Sequence, residues 1–384
     1  MNLDLTPGQV QARDLARELA RTEWGPASDA WEKDGAIPDA VMARAAERGV
    51  LAMAVPEAHG GTAADSVAAA LVIEEAARAS ASLALCMVHH AMGCWAVAAS
   101  GTPEQQRRYL PRMARGMLGA FCLSEPEAGS DASALATTAA RDGDSYVLRG
   151  TKGWVANGGR GGLFVVFAAT DRSAGAGGVS AFLVERGTPG LVPGKRHDTL
   201  GLRAADVTEV DLEDCRVPAG NRLGPEDQAL GMVTAALDVG RVGIAALALG
   251  LSEAAFERAV RFSQARQAQG QPLSGMQSVQ WMIADMARRI ESARWLVYRA
   301  AWLRDQGQPF SRQAAMAKVC ASEAATLVTH RAIQVHGARG CLRENLVERH
   351  YRDARALEID LGPSEVERQE IARSMLEGGV SGMI

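Results

Sequence analysis

Over the first 118 or so residues, apolar positions recur at helical spacing in a stretch rich in Ala, Arg, Glu and Leu, and predict helices rather than strands. Thr6-Pro7 reads as a helix start, with Thr as cap and Pro at the first helical position. Asp65 or Ser66 caps an Ala-rich helix running through Arg78, and Thr102-Pro103 repeats the first start signal. From about 119 to 226 the pattern shifts to short β-rich runs between glycine turns: Tyr146-Val147-Leu148, Leu163 to Ala168, Val179 to Val184 and Val207 to Leu212. Asp142-Gly143-Asp144 is a hairpin turn, and a small antiparallel barrel or sandwich follows from the pattern. Helical spacing returns from about 227: Leu230 to Arg266, Met276 to Gln306, and Pro309 or Ser311 to about His336. Ser364-Glu365-Val366-Glu367 reads as a capping box opening the last helix. The predicted class is α+β, with an N-terminal helical domain (1–118), a middle antiparallel β-barrel domain (119–226) and a C-terminal four-helix bundle (227–384). No short-period repeat is present.

The length of 384 residues agrees with two or three such units. A net charge of −4 argues against a broad basic surface for nucleic acid or membrane. The sequence shows no apolar run of membrane-span length, and Met1 to Pro7 lacks the basic-then-apolar pattern of a secretion signal, so a cytoplasmic protein is expected. Cys86, Cys94, Cys122, Cys215, Cys320 and Cys341 form no CxxC and read as reduced thiols. The adjacent His89 and His90 point apart on a helix, and no metal site is expected.

The common nucleotide fingerprints GxGxxG and GxxxxGK[ST] are absent, as is a GxSxG elbow. The informative stretch is Phe121-Cys122-Leu123-Ser124-Glu125-Pro126-Glu127-Ala128-Gly129-Ser130-Asp131. Further segments follow in order: Gly150-Thr151-Lys152-Gly153-Trp154-Val155-Ala156-Asn157-Gly158, Leu237-Asp238-Val239-Gly240-Arg241, Arg266-Gln267-Ala268-Gln269-Gly270, Gln334-Val335-His336-Gly337-Ala338-Arg339-Gly340 and Glu348-Arg349-His350-Tyr351-Arg352-Asp353-Ala354. Taken singly, a Trp at a strand end is a core residue, an Arg on a long helix a solvated charge and a Gly cluster a turn. In this order and spacing, on matching helix–sheet–helix regions, they resemble the acyl-CoA dehydrogenase family over essentially the whole chain.

The resemblance implies FAD as cofactor and an acyl-CoA or acyl-carrier-protein thioester as substrate, with an electron-transfer partner the sequence does not identify. It assigns Phe121, Leu123, Ser124, Gly129, Ser130, Trp154, Val155 and Ala156 to the flavin side. Arg266, a planar cation suited to a pyrophosphate, together with Gln269, Gln277, Gln334, Gly337 and Ala338, would hold the cofactor of a neighbouring subunit. Pro363 and Glu365 complete the cofactor set, and Ser130, Asp238, Arg241 and Gly362 would meet the substrate. Assembly as a homotetramer or homodimer through the C-terminal bundle is implied.

The departures from the family pattern bear on function. In the family a carboxylate removes the α-proton of the thioester while a hydride leaves the β-carbon for the flavin. The position that usually carries that carboxylate, counted on from Arg352-Asp353-Ala354, is Leu361, and the alternative on the first long C-terminal helix is Gly240. Neither can accept a proton. Ala156 and Pro363 also stand where the family often has Thr. Three readings follow. A displaced carboxylate serves, with Asp360 as the catalytic candidate. Or the site does other chemistry, a desulfinase-like elimination or a flavin monooxygenation, with the Leu361 N–H still available to polarise the thioester carbonyl. Or the chain is a non-catalytic subunit of a hetero-oligomer.

Overall fold

The computed structural model describes residues 4–62, 64–131 and 134–378. The helix starts form as the sequence predicts. Thr6 Oγ accepts the Gln9 N–H at 3.3 Å and the Gln9 side chain accepts the Thr6 N–H at 2.9 Å, a reciprocal cap for α1 (Pro7–Leu19). A single π-helical turn, Ala20–Trp24, joins α1 to α2 (Gly25–Asp34), and α3 (Asp39–Glu47) follows. Asp65 is the cap of α4 (Ser66–Ala79), Ser80 caps α5 (Ala81–Ser100), and Thr102 caps α6 (Pro103–Ala114).

The middle region is one eight-stranded sheet: β1 (Gly119–Cys122), β2 (Thr138–Asp142), β3 (Ser145–Val155), β4 (Leu163–Ala169), β5 (Val179–Glu185), β6 (Leu191–Arg196), β7 (Thr208–Pro218) and β8 (Arg222–Leu223). Its order is β6-β7-β3-β2-β4-β5-β8, with β1 beside β4. The hairpin predicted at 142–144 joins β2 to β3, and Gly143 supplies the positive φ its turn needs. The sheet is not wholly antiparallel, because β1 and β2 both run parallel to β4. All seven residues of β4 are buried, the continuous apolar run expected of a strand with parallel neighbours and two covered faces.

The C-terminal region holds α7 (Ala229–Ala265), α8 (Gln277–Asp305), α9 (Ser311–His336), α10 (Leu346–Leu357) and α11 (Ser364–Gly378). α7 packs against α4 and α5 as well as α8 and α9. Contrary to the reading from sequence, α5 and α7 do have the length and hydropathy of membrane-crossing helices. They are core helices instead, with 83% and 67% of their most apolar windows buried.

Two sets of contacts fix the sheet region against the helices. Asp353 Oδ1 accepts the Leu202 N–H at 2.6 Å while the Arg352 guanidinium donates to Leu200 O at 2.9 Å, which joins the 200–202 loop to α10. Asn157, in the left-handed region at φ 62°, donates from Nδ2 to Cys86 O at 2.9 Å and Gly119 O at 3.1 Å, tying the end of β3 to α5 and β1.

α7 and α4 cross at backbone contact: a Cβ on Gly250 would lie 2.0 Å from Glu74 O. Gly250→Ala is therefore expected to destabilise the protein by about 1–3 kcal/mol through overpacking. Chemical denaturation of the two proteins tests this, and an unchanged midpoint would show that the crossing relaxes freely.

Candidate active site

The stretch after β1 is shaped by a buried ion pair. Lys152 on β3 and Glu125 lie 2.6 Å apart with almost no exposed surface. The Lys152 ammonium also donates to Leu123 O at 3.1 Å, and the Glu125 carboxylate accepts the Ala136 and Thr137 N–H groups at 2.7 and 3.1 Å. Burial alone would raise the Glu125 carboxyl, but Lys152 and these donors outweigh it and hold it below its ordinary value. Gly153 N–H donates to Ser124 O at 2.9 Å, so Leu123, Ser124 and the end of β3 are drawn together. Trp154 follows at φ 58°, presents 58% of its surface to solvent and stacks on His197 at 4.3 Å. Exposed Gly129 and Ser130 lie just past the turn closed between Glu125 and Ala128. Phe121, Leu123, Val155 and Ala156 are buried, and Phe121 packs 4.9 Å from Phe167. Of the residues assigned to the flavin side, Ser124, Gly129, Ser130 and Trp154 are the ones with open surface.

Leu361 and Gly240, the two positions the family resemblance singles out, meet in space. A Cβ built on Gly240 of α7 would lie 2.4 Å from Leu361 Cδ1 and 2.7 Å from Met92 Sδ of α5. Leu361 thus fills the room above Gly240 with hydrocarbon. Its backbone is held at φ 52°, a strained conformation for a branched residue of the kind found at functional sites. Asp360 Oδ1 accepts the Leu361 N–H at 2.9 Å, and its other oxygen lies 3.4 Å from His89 Nε2. The N–H expected to polarise a thioester is therefore engaged by the neighbouring carboxylate. Burial would raise the Asp360 carboxyl, but His89, Lys318 and the Leu361 N–H together keep it below the usual value, which makes it a weak proton acceptor.

Beneath this loop lies a buried polar cluster. Asp238 and Arg241 are both buried and bound to each other at 2.7 Å. Asp238 also accepts from Ser311, and Arg241 lies 2.9 Å from Glu367. Neither is free to meet a substrate in this arrangement. Lys318 of α9, fully buried among alanines, donates to Glu358 O at 3.0 Å and to Gly362 O. Desolvation, opposed by Glu367 and Asp360, lowers its ammonium to about 8.

The predicted capping box at 364–367 does not form. Ser364 is the first helical residue and its hydroxyl is buried without a partner, while Glu367 turns inward to Arg241. The buried cation outcompetes the backbone N–H as partner. Sequence reading thus missed Glu367, which is fully buried and paired with Arg241 through one carboxylate oxygen. Burial raises it to about 7 against the pull of Arg241 and Lys318. It lies directly behind the loop: a Cβ on Gly362, at φ 113°, would come within 2.1 Å of its Oε1. Lys318 was legible as the one basic residue on an alanine-rich face (Ala314, Ala317, Ala321), but its target was not.

The residues that the family resemblance assigns to the far end of the cofactor gather elsewhere. Arg266, Gln334, Gly337 and Ala338 line one cavity of about 530 Å³ with Phe262 and His336, whose rings stack at 4.3 Å. Arg266 is exposed and makes no ion pair among the described residues, so a planar cation faces a cavity with aromatic rings. That donor set suits the anionic and aromatic parts of a dinucleotide. Gln269, at φ 51°, occupies a turn between two short pairing segments, and Gln277 is the first residue of α8, both exposed. Glu365 is exposed in the first turn of α11, and Pro363 precedes it, its carbonyl accepting the Glu367 N–H at 3.1 Å. Among the described residues no cluster of three or more His, Cys, Asp or Glu is arranged to hold a metal.

Three family models match in succession: the acyl-CoA dehydrogenase N-terminal domain over residues 6–117, the middle domain over 120–215 and the C-terminal domain over 230–376. The short-chain specific acyl-CoA dehydrogenase of Mus musculus is 41% identical over 377 residues, which cover 98% of this chain and 92% of that one. The structure of butyryl-CoA dehydrogenase from Megasphaera elsdenii superposes with a TM-score of 0.96 at 36% identity, covering 98% of this chain and all of that one. A prolyl acyl carrier protein oxidase superposes with a TM-score of 0.92 at 33% identity, covering 97% and 100%. The chain belongs to the acyl-CoA dehydrogenase family, a family of oxidoreductases whose members are generally FAD-dependent.

Glu367 makes stability pH-dependent. Its folded value of about 7 lies above the ordinary 4.5, so its contribution is full below about 4.5 and is lost as pH rises through 7. Glu367→Gln removes that loss. Its stability relative to the parent is expected to be on the order of 1–3 kcal/mol more favourable at about pH 8.5 than at about pH 5. Denaturation at both pH values measures this, and a difference that does not change with pH overturns the assignment.

Proposed function

We propose that this chain is a flavin-dependent oxidoreductase of acyl thioesters in which removal of the α-proton lacks the family's carboxylate. The observation that carries this reading is the meeting of Leu361 with Gly240 and Met92, which places hydrocarbon at both positions where that carboxylate would stand. FAD, when bound, would supply the acceptor for a hydride from the β-carbon. Trp154, Ser124 and Ser130 would hold it on one side, and Arg266 with Gln334, Gly337 and Ala338 would hold the dinucleotide of a neighbouring copy, which makes a homodimer or homotetramer the working assembly. The named relatives act on acyl-CoA or carrier-protein thioesters, and that class is the substrate proposed here.

This chain's own residues then set the chemistry. Leu361 keeps water away from the space above Gly240 and takes no proton. Asp360 is held by His89, Lys318 and the Leu361 N–H, and Glu367 lies behind Gly362, paired with Arg241. A site so arranged offers the α-proton no well-placed acceptor. It makes simple α,β-dehydrogenation slow.

Leu361→Glu tests this reading. The backbone at 361 is already left-handed and Gly240 leaves room, so a carboxylate placed there is expected to speed anaerobic flavin bleaching by butyryl-CoA on the order of 10²–10⁴-fold. Asp360→Asn in the parent leaves the slow rate unchanged. Rapid bleaching by the unaltered protein, abolished by Asp360→Asn, would assign proton removal to Asp360 and overturn the reading.

A further inference from the structure

A second cleft, of about 540 Å³, opens away from the site just described. It lies where the π-helical turn and the start of α2 meet the end of α4, the C-terminal half of α7 and the first turns of α10. Ala254, its first α7 residue, is fourteen positions beyond Gly240, about 21 Å along the helix.

Six arginines line it: Arg17, Arg21, Arg78, Arg258, Arg261 and Arg349. Four are paired. Arg17 meets Glu75 at 2.6 Å, Arg349 meets Asp29 at 2.7 Å, Arg261 meets Glu257 at 3.3 Å, and Arg78 meets Glu253 and Glu257. Arg21 and Arg258 make no ion pair among the described residues, so the cleft carries a surplus of positive charge. Partial desolvation, and then Arg349, hold the Arg258 guanidinium below the ordinary arginine value, despite Asp29 nearby.

His350 is the independent sign of a ligand. It lines the cleft, is 4% exposed, and neither ring nitrogen has a hydrogen-bond partner. An imidazole buried with both nitrogens unsatisfied is costly and calls for a partner. Desolvation, followed by Arg349, Arg258 and Arg352, keeps it neutral, with one nitrogen able to donate. The wall beside Arg21 is the π-helical turn, a rare conformation concentrated at functional sites.

We propose that this cleft binds the phosphate or diphosphate group of a small anion, with Arg21 and Arg258 as its cationic arms and His350 as the neutral donor at its base. Guanidinium forks match phosphate oxygens, and the volume admits a ligand of nucleotide size.

The test uses the full chain with FAD added to fill the family cofactor site. Calorimetry at low salt with inorganic pyrophosphate, and separately with ADP, is expected to show one site per chain. Arg21→Ala/Arg258→Ala should weaken binding at least about tenfold, and His350→Phe should weaken it too. Flavin content and basal turnover should stay unchanged in the double variant, since neither arginine belongs to the site around Leu361. ADP binding more tightly than pyrophosphate would identify a nucleotide ligand, and equal binding a free anion. No binding up to about 5 mM, or equal affinity in parent and double variant, overturns the proposal.

Discussion

The buried pair of Lys152 and Glu125 is the constraint on which the site's shape rests. Two opposite charges with almost no exposed surface are tolerated only because each has further partners: a carbonyl for the ammonium and two backbone N–H groups for the carboxylate. Through them the exit of β1, the turn at 125–128 and the last residues of β3 become one rigid unit. The exposed indole of Trp154 is presented from the end of that unit, next to a residue that cannot move independently of Ser124. Removing either charge would strand the other in the interior, so the motif surrounding Ser124 and the motif surrounding Trp154 are a single physical feature read in two places.

The loop at 360–364 sets an apolar side chain among buried polar groups. The backbone at 361 keeps a left-handed conformation that leucine has no intrinsic reason to adopt. Around it, Arg241 Nε, Ser364 Oγ and Glu367 Oε2 are buried without hydrogen bonds. Such unsatisfied atoms are expensive in a stable core and common where a protein meets a ligand. These polar groups lie behind the loop, and Leu361 packs on its other side with Met92.

Much of this was legible in the sequence because it is written in local chemistry. Thr6-Pro7 and Thr102-Pro103 announce helices whatever surrounds them, and Asp142-Gly143 announces a hairpin. The family order of motifs located Leu361 and Gly240, although nothing in their spacing, 121 positions apart, says that they touch. What failed was local signal overruled at long range. Ser364 and Glu367 have the right spacing for a cap, but Arg241, far away in sequence, offers Glu367 a charged partner. The parallel pairing of β4 was equally hidden, since an apolar run does not reveal the direction of its neighbours. The burial of Asp238 and Arg241 could not be read either, because an Asp and an Arg three apart on a helix look like a solvent-exposed pair.

α7 has consequences beyond the site it passes. It runs for 37 residues, and its apolar side chains are shared among α4, α5, α8 and α9, which pack against it from different directions. No one of those neighbours covers it, and in water a helix with that surface would have nothing to hold it in register or keep it from aggregating. The N-terminal and C-terminal helical regions, though separated by an entire sheet in the chain, therefore share one interior. The two helical regions are divisions of the sequence and not of the interior, while the strands between them add a buried cluster of their own.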